Sequence, residues 1–135
     1  MLPLELSTIH SRFPVPAAVF DGHGGDAVAQ WLNENLHEFI KPALAQSSNY
    51  QAAMEAAFHA ADSEILEYLE RKSAEGETIT GAGSTGSVVV TRANEIITAN
   101  VGDSSAILMR RGQQLSLTQP HRVYGKCGIL QPGPS

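Results

Sequence analysis

Apolar residues recur at intervals of three and four in two long segments of the chain. In the first segment the spacing is that of one face of an α-helix, and it runs through Val28, Trp31, Leu32, Leu36, Phe39 and Ile40. Asp26 is placed to cap this helix, and Pro42 is expected to end it. The second segment follows residues 45–49 and forms one stripe of Met54, Phe58, Ala61, Ile65, Leu66 and Leu69. The pattern predicts two amphipathic helices, with Trp31 and Phe39 as core residues.

Shorter apolar runs elsewhere in the chain indicate β-strands. After the extended segment around Pro14 and Pro16, residues 17–20, "AAVF", are expected to form a fully buried strand. The runs "SVVVT", "EIITANV" and "SAILMR" are separated by short turn-forming segments, which predicts an antiparallel meander. A turn at Arg111 and Gly112 leads to a fourth run, "QLSLT". Helices that precede a run of strands predict an α+β fold, with the helices on one face of an antiparallel sheet.

Composition restricts the class of protein. The chain has 135 residues, of which 42% are hydrophobic and 17% charged, so one compact domain is expected. The net charge of −5 and the scarcity of Lys and Arg argue against a nucleic-acid surface, because phosphate binding needs clustered basic side chains. No apolar run approaches the ~20 residues of a membrane helix, and the first residues lack the pattern of a secretory signal. Cys127, the single cysteine, excludes an internal disulfide and is expected to be an exposed thiol.

Residues 81–86, "GAGSTG", formally match the G-x-G-x-x-G fingerprint of dinucleotide-binding proteins. That fingerprint follows a strand and opens a helix, whereas this segment follows a polar loop and opens the strand-like run "SVVVT". The context favours a glycine turn. Nucleotide binding would instead require a helix after Gly86.

The segment "FDGHGG", residues 20–25, carries the groups of a candidate metal site. A strand that ends in Asp21 places a carboxylate at the rim of a sheet, and Gly22 lets its own carbonyl approach a cation closely. Both oxygens suit Mg²⁺ or Mn²⁺, and a hydroxide that bridges two such ions can attack phosphorus. Histidine titrates near neutral pH, so His23 could protonate a leaving oxygen. The alternative from these residues alone is a glycine turn in which Asp21 caps a backbone amide.

Four segments carry a resemblance to a known family through their order and spacing: "AAVFDGHGG", "GSTGSVVV", "ITANVGDSSAIL" and "LSLTQPH". Over residues 17–122 the chain resembles the metal-dependent type 2C protein serine/threonine phosphatase family. The resemblance implies an antiparallel β-sandwich flanked by helices, with two Mn²⁺ or Mg²⁺ ions in a cleft, and hydrolysis of phosphoserine and phosphothreonine in proteins. Asp21 matches the aspartate that bridges both ions, Gly22 the glycine whose carbonyl binds one of them, and His23 the proposed general acid.

Two further positions match the family pattern. Asp103, in "VGDSS", matches an aspartate that is associated with a further metal site, and His121 matches the histidine that follows "LT". The implied chemistry is physically sensible, because a phosphomonoester carries about two negative charges near neutral pH. A pair of divalent ions offsets that charge and activates water without a covalent enzyme intermediate.

Other positions depart from the family pattern. Residues 1–16 contain Arg12 and Glu5 but lack the family's upstream phosphate-binding Arg and its Glu-Asp pair. Ser105 stands where the family has Arg, and Pro120 stands where it has Asp. The residues that contact the substrate in the family are therefore replaced or missing in this chain.

The metal ligands are also incomplete. No acidic residue follows Asp103, and Asp21 cannot hold two divalent ions alone, because each ion needs about six ligands. We therefore expect a partial catalytic domain over residues 1–122, truncated at both ends, and an irregular divergent tail over residues 123–135.

Two functions follow as expectations. The first is dephosphorylation of a phosphoprotein substrate, with Mg²⁺ or Mn²⁺ as cofactor. The alternative is a non-catalytic interaction or decoy module that retains part of the phosphatase fold, with a partner covering its exposed sheet edges. The segment "PHRVYG" is similar to a motif in a plant chloroplast member of the family; the compartment stays unknown, with an intracellular, chloroplast location as one alternative.

Overall fold

The computed structural model describes residues 15–79, 81–92, 95–119 and 121, without the side chains of Val15 and Pro16. Its elements are β1 (Val15–Val19), β2 (Gly22–His23), α1 (Ala27–Gln46), α2 (Tyr50–Ala74), β3 (Gly83–Ser84), β4 (Gly86–Arg92), β5 (Glu95–Val101), β6 (Ile107–Arg110) and β7 (Gln113–Ser116). The predicted α+β class, with antiparallel sheets flanked by helices, is confirmed. The predicted tail and Cys127 lie outside the described residues, so the domain boundary after residue 122 stays a prediction.

Helix α1 continues through Pro42, so the prediction that it ends there is wrong. Its buried side chains follow a spacing of four residues: Val28, Leu32, Leu36, Ile40 and Leu44. Ending the helix at Pro42 would withdraw Leu44, which is 1% exposed, from the core. Burial of that side chain is worth about 1.5–3 kcal/mol, which offsets much of the cost of an interior proline, about 3 kcal/mol.

Both helices begin at polar residues. Asp26 is the N-cap residue of α1, as predicted, but its carboxylate accepts a hydrogen bond from Gln30 Nε2 at 2.6 Å and none from a helix backbone amide. Asn49 is the N-cap residue of α2, and its side chain accepts a hydrogen bond from the Ala52 N–H at 3.1 Å. The second arrangement satisfies one of the unpaired amides at the start of a helix.

The core lies between the two helices and one face of the sheet β1-β4-β5. Helix α2 contributes mostly small side chains, which allow a close approach to α1: Ala53, Met54, Ala57, Ala61 and Ile65. Val88 and Val90 of β4 are 1% and 0% exposed, and they close the core from the sheet side. Within the described residues, neither helix has a stretch long and apolar enough to cross a lipid bilayer.

The predicted core residues hold with one exception. Trp31 and Phe39 are half-buried and pack against the core, with ring centroids 6.1 Å apart. Leu66, expected in the apolar stripe of α2, is instead 57% exposed. Because successive helical residues are rotated by about 100°, Leu66 points away from the face that Ile65 buries.

In the part of the chain that the structure describes, β1 lies at the edge of its sheet, and the prediction of a fully buried strand is wrong. Among the described strands it pairs only with β4, and Val19 is 64% exposed. Pro16 fits such a position, because proline cannot donate a hydrogen bond to a neighbouring strand.

The predicted meander is confirmed only for its first pair of strands. Strand β4 pairs with β5 along its whole length, whereas β6 leaves that sheet and pairs with β7. Gly102, with φ +98°, redirects the chain after β5. The predicted turn at Arg111 and Gly112 closes the second hairpin, with φ +50° and +73°.

Candidate functional site

The predicted site residues Asp21, Gly22 and His23 lie where the chain leaves β1 and enters the short strand β2. In the β2–β3 pair, Gly22 lies opposite Ser84 and His23 lies opposite Gly83. Asp21 and His23 are both exposed. The end of the edge strand therefore places a carboxylate and an imidazole on the surface within three residues of each other.

Glycines make the β2–β3 pairing sterically feasible. A Cβ atom at Gly83 would lie 2.6 Å from Cε1 and Nε2 of the His23 ring. A Cβ atom at Gly24, which has φ +65°, would lie 2.5 Å from the carbonyl oxygen of Gly81. Gly24 therefore requires glycine, because a Cβ there would meet backbone atoms, whereas a Cβ at Gly83 would have to displace the exposed His23 ring.

The segment "GAGSTG" is thus the partner of "DGHG" in this part of the structure. Residues 83–84 form β3, and Gly86 begins β4, so a strand follows Gly86 where nucleotide binding would require a helix. The nucleotide-binding alternative is therefore wrong. The expected turn is present at Gly81, whereas Gly83 and Gly86 lie in strands.

A methyl group at Gly83 should displace the His23 imidazole. Gly83→Ala is expected to shift the ring resonances of His23 in NMR spectra and to lower the free energy of unfolding by less than about 1 kcal/mol, because the exposed imidazole can move aside. Gly86→Ala is the matched control, because its Cβ would have only ordinary contacts, the nearest being Phe58 at 3.6 Å. Unchanged His23 resonances in Gly83→Ala would contradict the contact.

Thr85 connects the Asp21 segment to the turn that carries Asp103. The Asp21 N–H donates to Thr85 Oγ1 at 3.1 Å, and the Thr85 N–H donates to the Asp21 carbonyl at 2.9 Å. Thr85 Oγ1 also lies 2.8 Å from Ser104 Oγ, and the two hydroxyls are hydrogen-bonded. The sequence did not predict this linking role of the Thr85 side chain, although a hydroxyl residue inside a glycine-rich segment that leads into a strand was a usable signal.

The turn that carries Asp103 is held from a second side by Asn100. Its Nδ2 donates to the Gly102 carbonyl at 3.2 Å, and the His121 N–H donates to the same oxygen at 2.6 Å. Asp103 itself is exposed. The structure therefore brings His121 next to the Asp103 turn through its backbone, and the turn presents the Asp103 side chain to solvent.

Asn100 has a second structural role that the sequence did not predict. Its Nδ2 also donates to the Gln119 carbonyl at 3.1 Å, and its Oδ1 accepts a hydrogen bond from the Ser87 hydroxyl. Close by, the Ala106 N–H donates to Thr118 Oγ1 at 2.8 Å. One amide side chain thus joins β4, the turn after β5 and the segment after β7, a set of contacts that becomes visible only in three dimensions.

Asp21 and Asp103 have the donor type that a hard divalent cation prefers. Within residues 15–79, 81–92, 95–119 and 121, however, no three His, Cys, Asp or Glu side chains are grouped to hold a metal ion. The described residues therefore suit Mg²⁺ or Mn²⁺ in kind. They are too few for a complete two-ion site, because each ion needs about six ligands.

A groove of about 920 Å³ lies beside the site, lined by residues of α1, α2 and β5. Much of its lining is apolar, with Phe20 and Phe58 among the larger side chains. The lining includes His23 but neither Asp21 nor Asp103. His23 is therefore the residue that the groove shares with the candidate site, and the two carboxylates lie outside it.

This chain is similar to proteins that are named as phosphatases. The sequence model described as Protein phosphatase 2C matches residues 14–126. Protein phosphatase 2C 57 of Arabidopsis thaliana is 38% identical over 117 residues, which cover 81% of this chain and 29% of that protein. Probable protein phosphatase 2C member 13, mitochondrial, of Oryza sativa subsp. japonica is 32% identical over 119 residues, which cover 88% of this chain and 31% of that protein. The chain spans less than a third of the length of these two relatives.

A solved structure shares the fold. The crystal structure of the Mycobacterium tuberculosis serine/threonine phosphatase PstP/Ppp matches with a TM-score of 0.55 and 25% sequence identity. The match covers 78% of this chain and 44% of that chain. The likeness supports the expected arrangement of antiparallel sheets flanked by helices.

Proposed function

The chain belongs to the protein phosphatase 2C family, and from that premise we propose that it takes part in metal-dependent hydrolysis of phosphoserine and phosphothreonine in proteins. One observation of the structure carries the proposal. The hydrogen bonds of Thr85 join the segment of Asp21 to the turn of Asp103, so that two exposed carboxylates come from one connected unit. Carboxylate and carbonyl oxygens are the donor types that suit Mg²⁺ or Mn²⁺.

Each site residue has a proposed role. Asp21 and the Gly22 carbonyl would hold a divalent ion, and Asp103 would serve a further ion. His23 would protonate the leaving oxygen of the substrate, a role that its exposure and its position against Gly83 permit. When bound, the ions would offset the charge of the phosphoryl group and activate water. The choice between Mg²⁺ and Mn²⁺, the phosphoprotein substrate and the plastid location stay predictions.

A second candidate function is binding without catalysis. The described residues include no grouping of three metal-binding side chains. Several large apolar side chains of the strands are also exposed: Val19, Ile96, Val101, Ile107, Met109 and Leu115. A partner that covers such side chains would fit an interaction module.

Replacing Asp21 separates the two candidates. Loss of an outer-shell partner of a metal ligand alone costs about 10- to 100-fold in affinity, so we expect Asp21→Asn to weaken Mn²⁺ binding by at least that much and to abolish turnover of a phosphothreonine peptide. Titration calorimetry with Mn²⁺ on the full 135-residue chain measures the first effect. Asp62→Asn is the matched control, because Asp62 is an exposed aspartate on α2.

The outcomes point to different functions. Mn²⁺ binding that Asp21→Asn removes and Asp62→Asn preserves, together with turnover, supports the phosphatase. Mn²⁺ binding that both variants preserve contradicts the role of Asp21. Absence of both Mn²⁺ binding and turnover in the unaltered chain favours the interaction module.

A further inference from the structure

We propose that Thr85 is a positioning residue, which holds the backbone of Asp21 in a set relation to the turn of Asp103 so that the two carboxylates serve one metal-binding unit. Thr85 itself is not proposed to touch the metal or the substrate. The assignment rests on the proposed metal role of Asp21, and it deepens that role by naming what aligns the ligand.

Thr85 and Asp21 are joined by two reciprocal hydrogen bonds. The hydroxyl of Thr85 accepts the Asp21 N–H at 3.1 Å, and the Thr85 N–H donates to the Asp21 carbonyl at 2.9 Å. The two hydrogen bonds hold the peptide groups on both sides of the Asp21 Cα atom. Because the side chain starts from that atom, fixing both peptide groups also restricts where an otherwise exposed carboxylate can reach.

Thr85 is also connected to the turn of Asp103, through Ser104. A hydroxyl has one proton and two acceptor sites, so Thr85 Oγ1 can accept from Asp21 and still bond to Ser104 Oγ at 2.8 Å. Ser104 directly follows Asp103 in the chain. Both Thr85 and Ser104 are half-buried, which limits the competition of water for this hydrogen bond.

The methyl group of Thr85 has a contact of its own. A Cβ atom at Gly102 would lie 2.7 Å from Thr85 Cγ2, so the methyl group packs directly against the Gly102 backbone. Gly102 has φ +98° and immediately precedes Asp103. The hydroxyl and the methyl group of Thr85 therefore contact the residues on either side of Asp103, while its backbone and hydroxyl hold Asp21.

Substitutions at Thr85 separate the hydroxyl from the methyl group. Thr85→Val keeps the branched shape and removes the hydroxyl, whereas Thr85→Ser keeps the hydroxyl and removes the methyl group. Thr98→Val is the matched control, because Thr98 is a half-buried threonine of β5 whose hydroxyl donates to the Leu117 carbonyl at 3.1 Å. It removes a comparable hydrogen bond that does not involve Asp21.

The test measures Mn²⁺ affinity and the hydrogen exchange of the Asp21 amide on the full chain. We expect Thr85→Val to weaken Mn²⁺ binding and to accelerate exchange of the Asp21 amide, each about tenfold, the effect of losing one hydrogen bond. Thr85→Ser should keep most of the Mn²⁺ affinity and most of the protection of the Asp21 amide from exchange. Thr98→Val should leave both unchanged, even if it lowers the thermal midpoint as much as Thr85→Val does.

The connection to Ser104 is tested by a double-mutant cycle. If Thr85 acts on the Asp103 turn through Ser104, adding Ser104→Ala to Thr85→Val should weaken Mn²⁺ binding little further, because the two groups share one hydrogen bond. Fully additive losses would overturn this part of the proposal.

Two further comparisons between the variants decide whether Thr85 has the positioning role. Equal losses of Mn²⁺ affinity in Thr85→Val and Thr98→Val would overturn the positioning role, because they would reflect general destabilisation. If the unaltered chain binds no Mn²⁺, the metal role of Asp21 fails and the amide exchange decides the positioning role alone. Faster exchange in Thr85→Val with rescue by Thr85→Ser would then support it, and identical exchange in all variants would overturn it.

Discussion

Replacing Leu44 with alanine should lower the free energy of unfolding by about 2–5 kcal/mol, as truncation of a fully buried leucine does. Leu44 is 1% exposed and lies in the last turns of α1, beyond Pro42. The loss combines the transfer of the removed atoms with the cavity that they leave. Urea denaturation monitored by circular dichroism measures it directly.

Leu66→Ala is the matched control for this experiment. Leu66 is also a helical leucine, but it is 57% exposed, and the same truncation should cost less than about 1 kcal/mol. The change in helix propensity is the same at both positions, so the difference between the variants reports burial. Similar losses in both would contradict the continuation of α1 past Pro42.

Replacing Gly24 with alanine should lower the free energy of unfolding by about 2–5 kcal/mol, for two reasons that add. Alanine at the left-handed φ of +65° costs about 1–2 kcal/mol. Its Cβ would also lie 2.5 Å from the Gly81 carbonyl oxygen, and relieving such overpacking costs about 1–3 kcal/mol more. The variant should also shift the NMR resonances of neighbouring His23, because separating the segments of Gly24 and Gly81 disturbs the β2–β3 pair.

Gly112→Ala measures the first of these two costs alone. Gly112 has a similar φ of +73°, but a Cβ there would meet nothing within 4 Å, so only the conformational cost of about 1–2 kcal/mol applies. Equal losses of stability in the two alanine variants would show that the segments of Gly24 and Gly81 are not in contact.

Local patterns predicted the elements of the fold well. The spacing of Val28, Leu32 and Leu36 identified the buried face of α1, and Asp26 stands at the start of that helix, as predicted. The turn of Arg111 and Gly112 was also predicted. Helical periodicity, capping groups and backbone dihedral preferences all arise from residues that are close together in the chain. Such features can therefore be predicted from the sequence alone.

Predictions of features that depend on tertiary contacts were less accurate. Pro42 signals a helix end by its own chemistry, but burial of Leu44 against the rest of the core outweighs it. Likewise, "AAVF" has the composition of a central strand, yet β1 pairs with one neighbour in the described part of the chain. The number of neighbours around a strand is a property of the whole fold, and the local pattern cannot report it.

The chain by itself determined the family, the two helices and the residues that carry the candidate chemistry, Asp21, Gly22, His23 and Asp103, because each is expressed in a contiguous motif. Only the tertiary structure decided how these motifs meet. "GAGSTG" lies alongside His23, and Thr85 ties Asp21 to a turn that is distant in sequence. The reason is physical: close backbone contacts and shared hydroxyl hydrogen bonds join residues that are far apart in the chain, and they exist only after the helices and strands have packed.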